Sequence, residues 1–65
     1  MARYEAYELK YKYSFASSWG VYDMKLHKVR VSEDYSRKQA ERIAAWLNDN
    51  PDASEDEMLR YLRGL

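Results

Sequence analysis

Sixty-five residues with 11 basic and 11 acidic side chains and no cysteine exclude a disulfide framework, thiolate metal sites and the strong net positive charge usual in a nucleic-acid binder. A chain this short makes one small domain, residues 1–65, and needs large side chains to fill its core; seven Tyr, two Trp and one Phe supply them. No apolar run approaches the roughly 20 residues of a membrane span, and Met1-Ala2-Arg3-Tyr4-Glu5 lacks the apolar stretch of a signal peptide. The expectation is a cytoplasmic protein, of the producing or a host cell, with no membrane contact.

The charges are sorted along the chain. Residues 1–31 hold Arg3, Lys10, Lys12, Lys25, Lys28 and Arg30 against Glu5, Glu8 and Asp23, whereas residues 50–65 hold Asp52, Glu55, Asp56 and Glu57 against Arg60 and Arg63. Zero net charge therefore conceals a basic first half and an acidic end.

A first strand is predicted over about residues 4–14. Tyr7, Leu9, Tyr11, Tyr13 and Phe15 alternate with Glu8, Lys10, Lys12 and Ser14, the period of a half-buried strand. Ala16-Ser17-Ser18 reads as a loop, Trp19-Gly20-Val21-Tyr22-Asp23 as the second strand, and Asp23-Met24-Lys25 as a turn. Strict alternation resumes over about 26–31, where Val29 and Val31 face one way and Lys28 and Arg30 the other. A one-residue slip in this strand swaps its faces.

Helical spacing follows. Ser36 with Gln39 fits a capping box, and Ala40, Ile43, Ala44 and Leu47 form one stripe of a helix over about 37–48, stopped by Asn50-Pro51. Trp46 lies about 60° beside that stripe. It is either covered by a returning second helix, through Met58 or Leu62, or exposed as an interface anchor. Ser54 with Glu57 fits a second capping box and opens the second helix, about 55–64, whose acidic first turn complements the helix dipole. The fold expectation is α+β: a three-stranded antiparallel meander packed on one helix, with a short second helix at the C-terminus.

No constellation points to catalysis. His27 stands alone, Ser17 and Ser18 lack a nucleophile turn, and two glycines cannot build a phosphate-cradling loop. Helix capping and solvation account for Asp52, Glu55, Asp56 and Glu57. No cofactor and no metal are expected. With Tyr7 to Phe15, Val21, Val29 and Val31 turned to the helix, Lys10, Lys12, Tyr22, Lys28 and Arg30 share the opposite face. Such a face is either a solvated surface or an anion-facing platform for phosphates or for an acidic protein.

Trp19-Gly20-Val21-Tyr22-Asp23, Lys28-Val29-Arg30-Val31 and Ala40 to Asn48 together resemble the hairpin-plus-helix pattern of small orphan accessory proteins of phages and prophages. The likeness covers about half the chain and implies an interaction protein that binds and inhibits host machinery, defence complexes included. The same outline is similar to the arm-binding N-terminal domain of tyrosine recombinases, which implies a DNA-reading sheet with Lys10, Lys12, Lys28 and Arg30 on its face.

The resulting expectation is a small non-enzymatic binding protein with a host protein or complex as partner, ahead of nucleic acid. Its binding residues are expected among Lys10, Lys12, Tyr22, Lys28, Arg30, Trp46, Asp52, Glu55 and Asp56. The bipolar charge also fits a homodimer, basic sheet against acidic helix.

Overall fold

The computed structural model describes residues 2–9 and 18–65, with the backbone alone for Glu33. The elements are β1 (Tyr4–Leu9), β2 (Ser18–Asp23), β3 (Lys28–Tyr35), α1 (Arg37–Asp49) and α2 (Glu55–Arg63). The strands form one antiparallel sheet in the order β1-β2-β3, followed by two helices, so the α+β meander expected from the sequence is the fold. The expected first strand beyond Leu9, including Lys10, Tyr11, Lys12, Tyr13 and Phe15, lies outside the described residues, as does most of the loop before β2.

The core forms where α1 lies on the sheet. Tyr4, Val21 and Val31 meet Ile43, Ala44 and Leu47, and Met58 of α2 closes the cluster. Each large aliphatic side chain buried in this way contributes about 1.5–3 kcal/mol. Ala40 and Ala44 are buried, and their small side chains let the helix backbone approach the strands closely.

The pairing fixes which side chains share a face. Tyr4 lies opposite Asp23, Ala6 opposite Val21 and Glu8 opposite Trp19, while Glu5 pairs with Tyr22 and Tyr7 with Gly20. Directly opposed residues point the same way, so the set containing buried Tyr4 and Val21 faces α1. Tyr7 and Leu9 belong to the other set, which corrects the expected phase of β1. The alternation in the sequence is real, but Tyr4, one position out of phase with Tyr7, supplies the inward aromatic.

β3 differs from expectation for a related reason. Val31 lies opposite Val21 and Val29 opposite Tyr22, with register shifts on both sides of Val21. The extra residue between those pairs is Arg30, so a bulge places Val31 inward and Val29 outward, although simple alternation puts both on one face. Val29 is 44% exposed. The strand also starts two residues later and runs to Tyr35, because Leu26 and His27 belong to the turn and Tyr35 pairs with Trp19.

That turn is built on Asp23. Its Oδ1 accepts from the backbone N–H groups of Lys25 at 3.0 Å and Leu26 at 3.2 Å, an Asx-type closure. His27 takes a left-handed conformation, φ 53°, which His tolerates better than a β-branched residue.

Both helices begin at the expected residues, but of the reciprocal capping boxes expected at both, the one at α1 is complete, while at α2 only its Ser54 half is present. Ser36 and Gln39 cap α1 reciprocally, and the Ser54 hydroxyl accepts from the Glu57 N–H. α1 ends where Asn50 turns its N–H back to the carbonyls of Trp46 and Leu47, immediately before Pro51. α2 ends at Arg63 with Gly64 as its C-cap, one residue short of the expected end.

Candidate functional site

Both helices pack on one side of the sheet, and no described element covers the other. On that outer face Tyr7 and Tyr22 meet edge to face, ring centroids 5.8 Å apart at 70°, a preferred geometry for paired rings. Val29 stands across from Tyr22 and Glu5 pairs with Tyr22 on its other side. Gly20 lies between the rings and the bulge: a Cβ there would run into the Val31 carbonyl oxygen and sit 3.4 Å from Cε1 of Tyr7. The missing side chain therefore lets the bulged backbone of β3 close over β2.

Among the described residues this face is aromatic rather than basic. Arg30, expected beside Tyr22, makes an ion pair with Glu55 at 3.1 Å and its side chain is only 21% exposed. The bulge redirects Arg30, and α2 delivers the carboxylate. Lys28 is exposed but pairs with Asp23, which belongs to the helix-facing set, so it does not share Tyr22's face. Lys10 and Lys12 lie outside the described residues. The basic platform expected from the sequence thus loses both of its described cations.

The remaining expected binding residues divide between the two helices. Trp46 is half-buried and stacks on Tyr61, centroids 4.8 Å apart and planes 8° from parallel. α2 does fold back over it, with Tyr61 as the covering ring while Met58 enters the core. Tyr61 also donates from its hydroxyl to the Arg42 carbonyl at 3.4 Å. Asp52, Glu55 and Asp56 are exposed near the start of α2, and only Glu55 of the three forms an ion pair among the described residues.

Sequence reasoning missed two polar constructions. Arg3 forks onto Asp23, Nε to Oδ1 at 3.1 Å and Nη2 to Oδ2 at 3.0 Å, and Asp23 is 1% exposed. Hydrogen bonding from Arg3, reinforced by the Leu26 and Lys25 amides against the opposing effect of burial, lowers the Asp23 pKa to about 2. Asn48 of α1 receives the Tyr4 N–H on Oδ1 at 2.9 Å and donates from Nδ2 to the Tyr4 carbonyl at 3.0 Å. An Arg twenty positions before an Asp carries no local signal of pairing, and Asn48 reads locally only as a helix-end residue.

Among the described residues no group of three or more His, Asp or Glu side chains is placed to hold a metal ion, and no helix is long and apolar enough to cross a membrane. Two open depressions lie among the described residues. One, about 320 Å³, is lined by Asp49 to Ala53 and Glu57, and the other, about 280 Å³, by Tyr35, Leu59, Leu62 and Arg63. Comparison of the chain with protein-family models, with curated proteins and with solved structures gives no match.

Proposed function

We propose that this chain is a small, non-enzymatic binding protein that engages a protein partner through the outer face of its sheet. The observation that carries this reading is the Tyr7–Tyr22 pair beside half-exposed Val29, on the side of the sheet turned away from both helices. Tyrosine offers a large, stiff, amphipathic contact surface at small entropic cost, and clusters of this kind carry most of the energy in protein interfaces. A phosphate backbone calls instead for cations on the contact face. Here Arg30 is paired with Glu55, and Glu5 stands beside Tyr22.

The accessory role is proposed more narrowly: a phage-type factor that binds a host protein or defence complex in the cytoplasm. Its support is the resemblance carried by Trp19–Asp23, Lys28–Val31 and Ala40–Asn48.

Affinity capture by the tagged chain from bacterial lysate, with and without nuclease, tests the class of partner. A protein retained in stoichiometric amount after nuclease treatment, and lost from Tyr22→Ala, supports the reading. Recovery of nucleic acid and nuclease-sensitive proteins alone overturns it in favour of the nucleic-acid alternative.

A further inference from the structure

One end of the molecule gathers four segments: the β2–β3 turn, the start of β1, the end of α1 and the loop into α2. The Met24 N–H donates to the Arg3 carbonyl at 2.7 Å, Arg3 holds Asp23, Asn48 holds Tyr4 and Arg30 holds Glu55. The turn presents Met24, 44% exposed, and Leu26, 51% exposed, flanked by exposed Lys25 and Lys28. Beside it the end of α1 presents exposed Asp49 and the loop after it exposed Asp52, the latter within electrostatic reach of Arg3. None of these four charged side chains forms an ion pair among the described residues.

An apolar tip, two unpaired lysines and two unpaired aspartates therefore stand side by side. That combination discriminates among occupants. A nucleic acid, an anionic membrane or a uniformly acidic protein is attracted by the lysines and repelled by the adjacent carboxylates. A surface carrying the same two patches in reversed order satisfies both. The simplest such surface is this one turned by a two-fold axis, since adjacent patches of opposite sign are self-complementary under that operation. Zero net charge removes the general repulsion that works against association of like copies.

We propose that this end is an isologous interface to a second copy of the chain, with Lys25 and Lys28 of each protomer against Asp49 and Asp52 of the other and the Met24 and Leu26 side chains shielded between them. The interface is separate from the Tyr7–Tyr22 face, so the two proposals stand or fall independently. A standard stable interface takes about 800 Å² from each partner, a large share of the 5026 Å² accessible surface of this chain. A contact confined to one end is smaller, and the dimer is accordingly weak, with micromolar or poorer affinity.

Sedimentation equilibrium of the full chain, from low micromolar to about 1 mM and at low and high salt, reads the association directly. The expected apparent mass rises from 7.8 kDa towards twice that value with concentration, and less steeply at high salt. Lys25→Glu with Lys28→Glu, and separately Asp49→Lys with Asp52→Lys, should each weaken self-association by about tenfold or more. Mixing the two variants should restore a one-to-one pair. Asp49 ends α1 and Asp52 lies in the loop, so the second variant spares the cap and first turn of α2. Met24→Ser with Leu26→Ser should give a folded monomer by circular dichroism. A wild-type chain that stays monomeric throughout, a dimer indifferent to both charge reversals, or a mixture that fails to re-associate overturns the proposal.

Discussion

The side-chain amide of Asn48 pairs with the backbone of Tyr4 in both directions, accepting from its N–H and donating to its carbonyl. An amide used in this way stands where the peptide group of a neighbouring strand would stand. It closes the outer edge of β1 at the residue that also drops its ring into the core, and it ties the end of α1 to the start of the sheet. Asn48→Ala should destabilise the fold by about 1–2 kcal/mol, because two backbone groups lose their partner at once. Asn48→Asp should cost at least as much, since it sets an oxygen against the Tyr4 carbonyl. Urea unfolding of the three proteins measures this; equal midpoints would show that the pairing contributes nothing net.

The Asp23 hub gives the fold an acid-sensitive element. The carboxyl titrates near 3.8 when unperturbed and near 2 in the folded chain, chiefly because Arg3 hydrogen-bonds it. A depressed folded pKa means that this stabilisation is complete above the unfolded value and is lost as pH falls through about 4 towards 2. Asp23→Asn should therefore be destabilising near neutrality, with the deficit shrinking across that acid range. Paired urea titrations between about pH 6 and pH 2 read the difference directly. A deficit that stays constant with pH would mean that the Arg3–Asp23 ion pair does not carry the effect.

At Gly20 the absence of a side chain is a packing requirement. The Val31 carbonyl occupies the space that a Cβ would need, and backbone cannot move aside as a flexible side chain can. Gly20→Ala should cost about 2–3 kcal/mol and should disturb the Val31 and Val29 amide resonances more than those of α1. A thermal midpoint within a degree or two of wild type would contradict the close approach of β3 to β2 that fixes Val29 outward.

Much of this architecture was legible in the sequence, because the signals that specify it are local. Ser36 with Gln39, Ser54 with Glu57 and Pro51 mark the helix boundaries to within a residue or so, and the stripe of Ala40, Ile43, Ala44 and Leu47 is the buried one. The faces of the strands were less legible. Alternation gives a period without a sign, and whether Tyr4 or Tyr7 goes inward depends on which one meets Asn48 and α1, more than forty positions away. The bulge at Arg30 has no composition signal, and it alone separates Val29 from Val31. Because the expected site rested on those two assignments, its two described cations leave Tyr22's face: Arg30 pairs with Glu55 and Lys28 stands on the Asp23 side. Tyr22 kept its outward place and acquired Tyr7 as its neighbour.

α2 has nine residues, too few to be stable without tertiary contacts. Its hold on the body runs through Met58 in the core, the Tyr61 ring on Trp46 and the Arg30–Glu55 pair. Exposed ion pairs contribute little, whereas a stacked aromatic pair contributes about 0.5–1.5 kcal/mol beyond its buried area. In a Trp19→Phe background, Tyr61→Ala should shift the Trp46 emission to longer wavelength and increase amide exchange along α2, while Tyr61→Phe should do neither. Unchanged emission in Tyr61→Ala would show that Tyr61 does not shield Trp46.

The claim that matters most for function is that the outer sheet face, rather than a cationic surface, makes the partner contact. The affinity of a captured partner for wild type, for Tyr22→Ala with Val29→Ser, and for Lys28→Glu, measured at low and high salt, tests it most directly. Loss of about tenfold or more in the double variant at every salt concentration, with a smaller, salt-screened loss in Lys28→Glu, is the predicted result. Wild-type affinity in the double variant, together with a steep salt-dependent loss in Lys28→Glu, would contradict it.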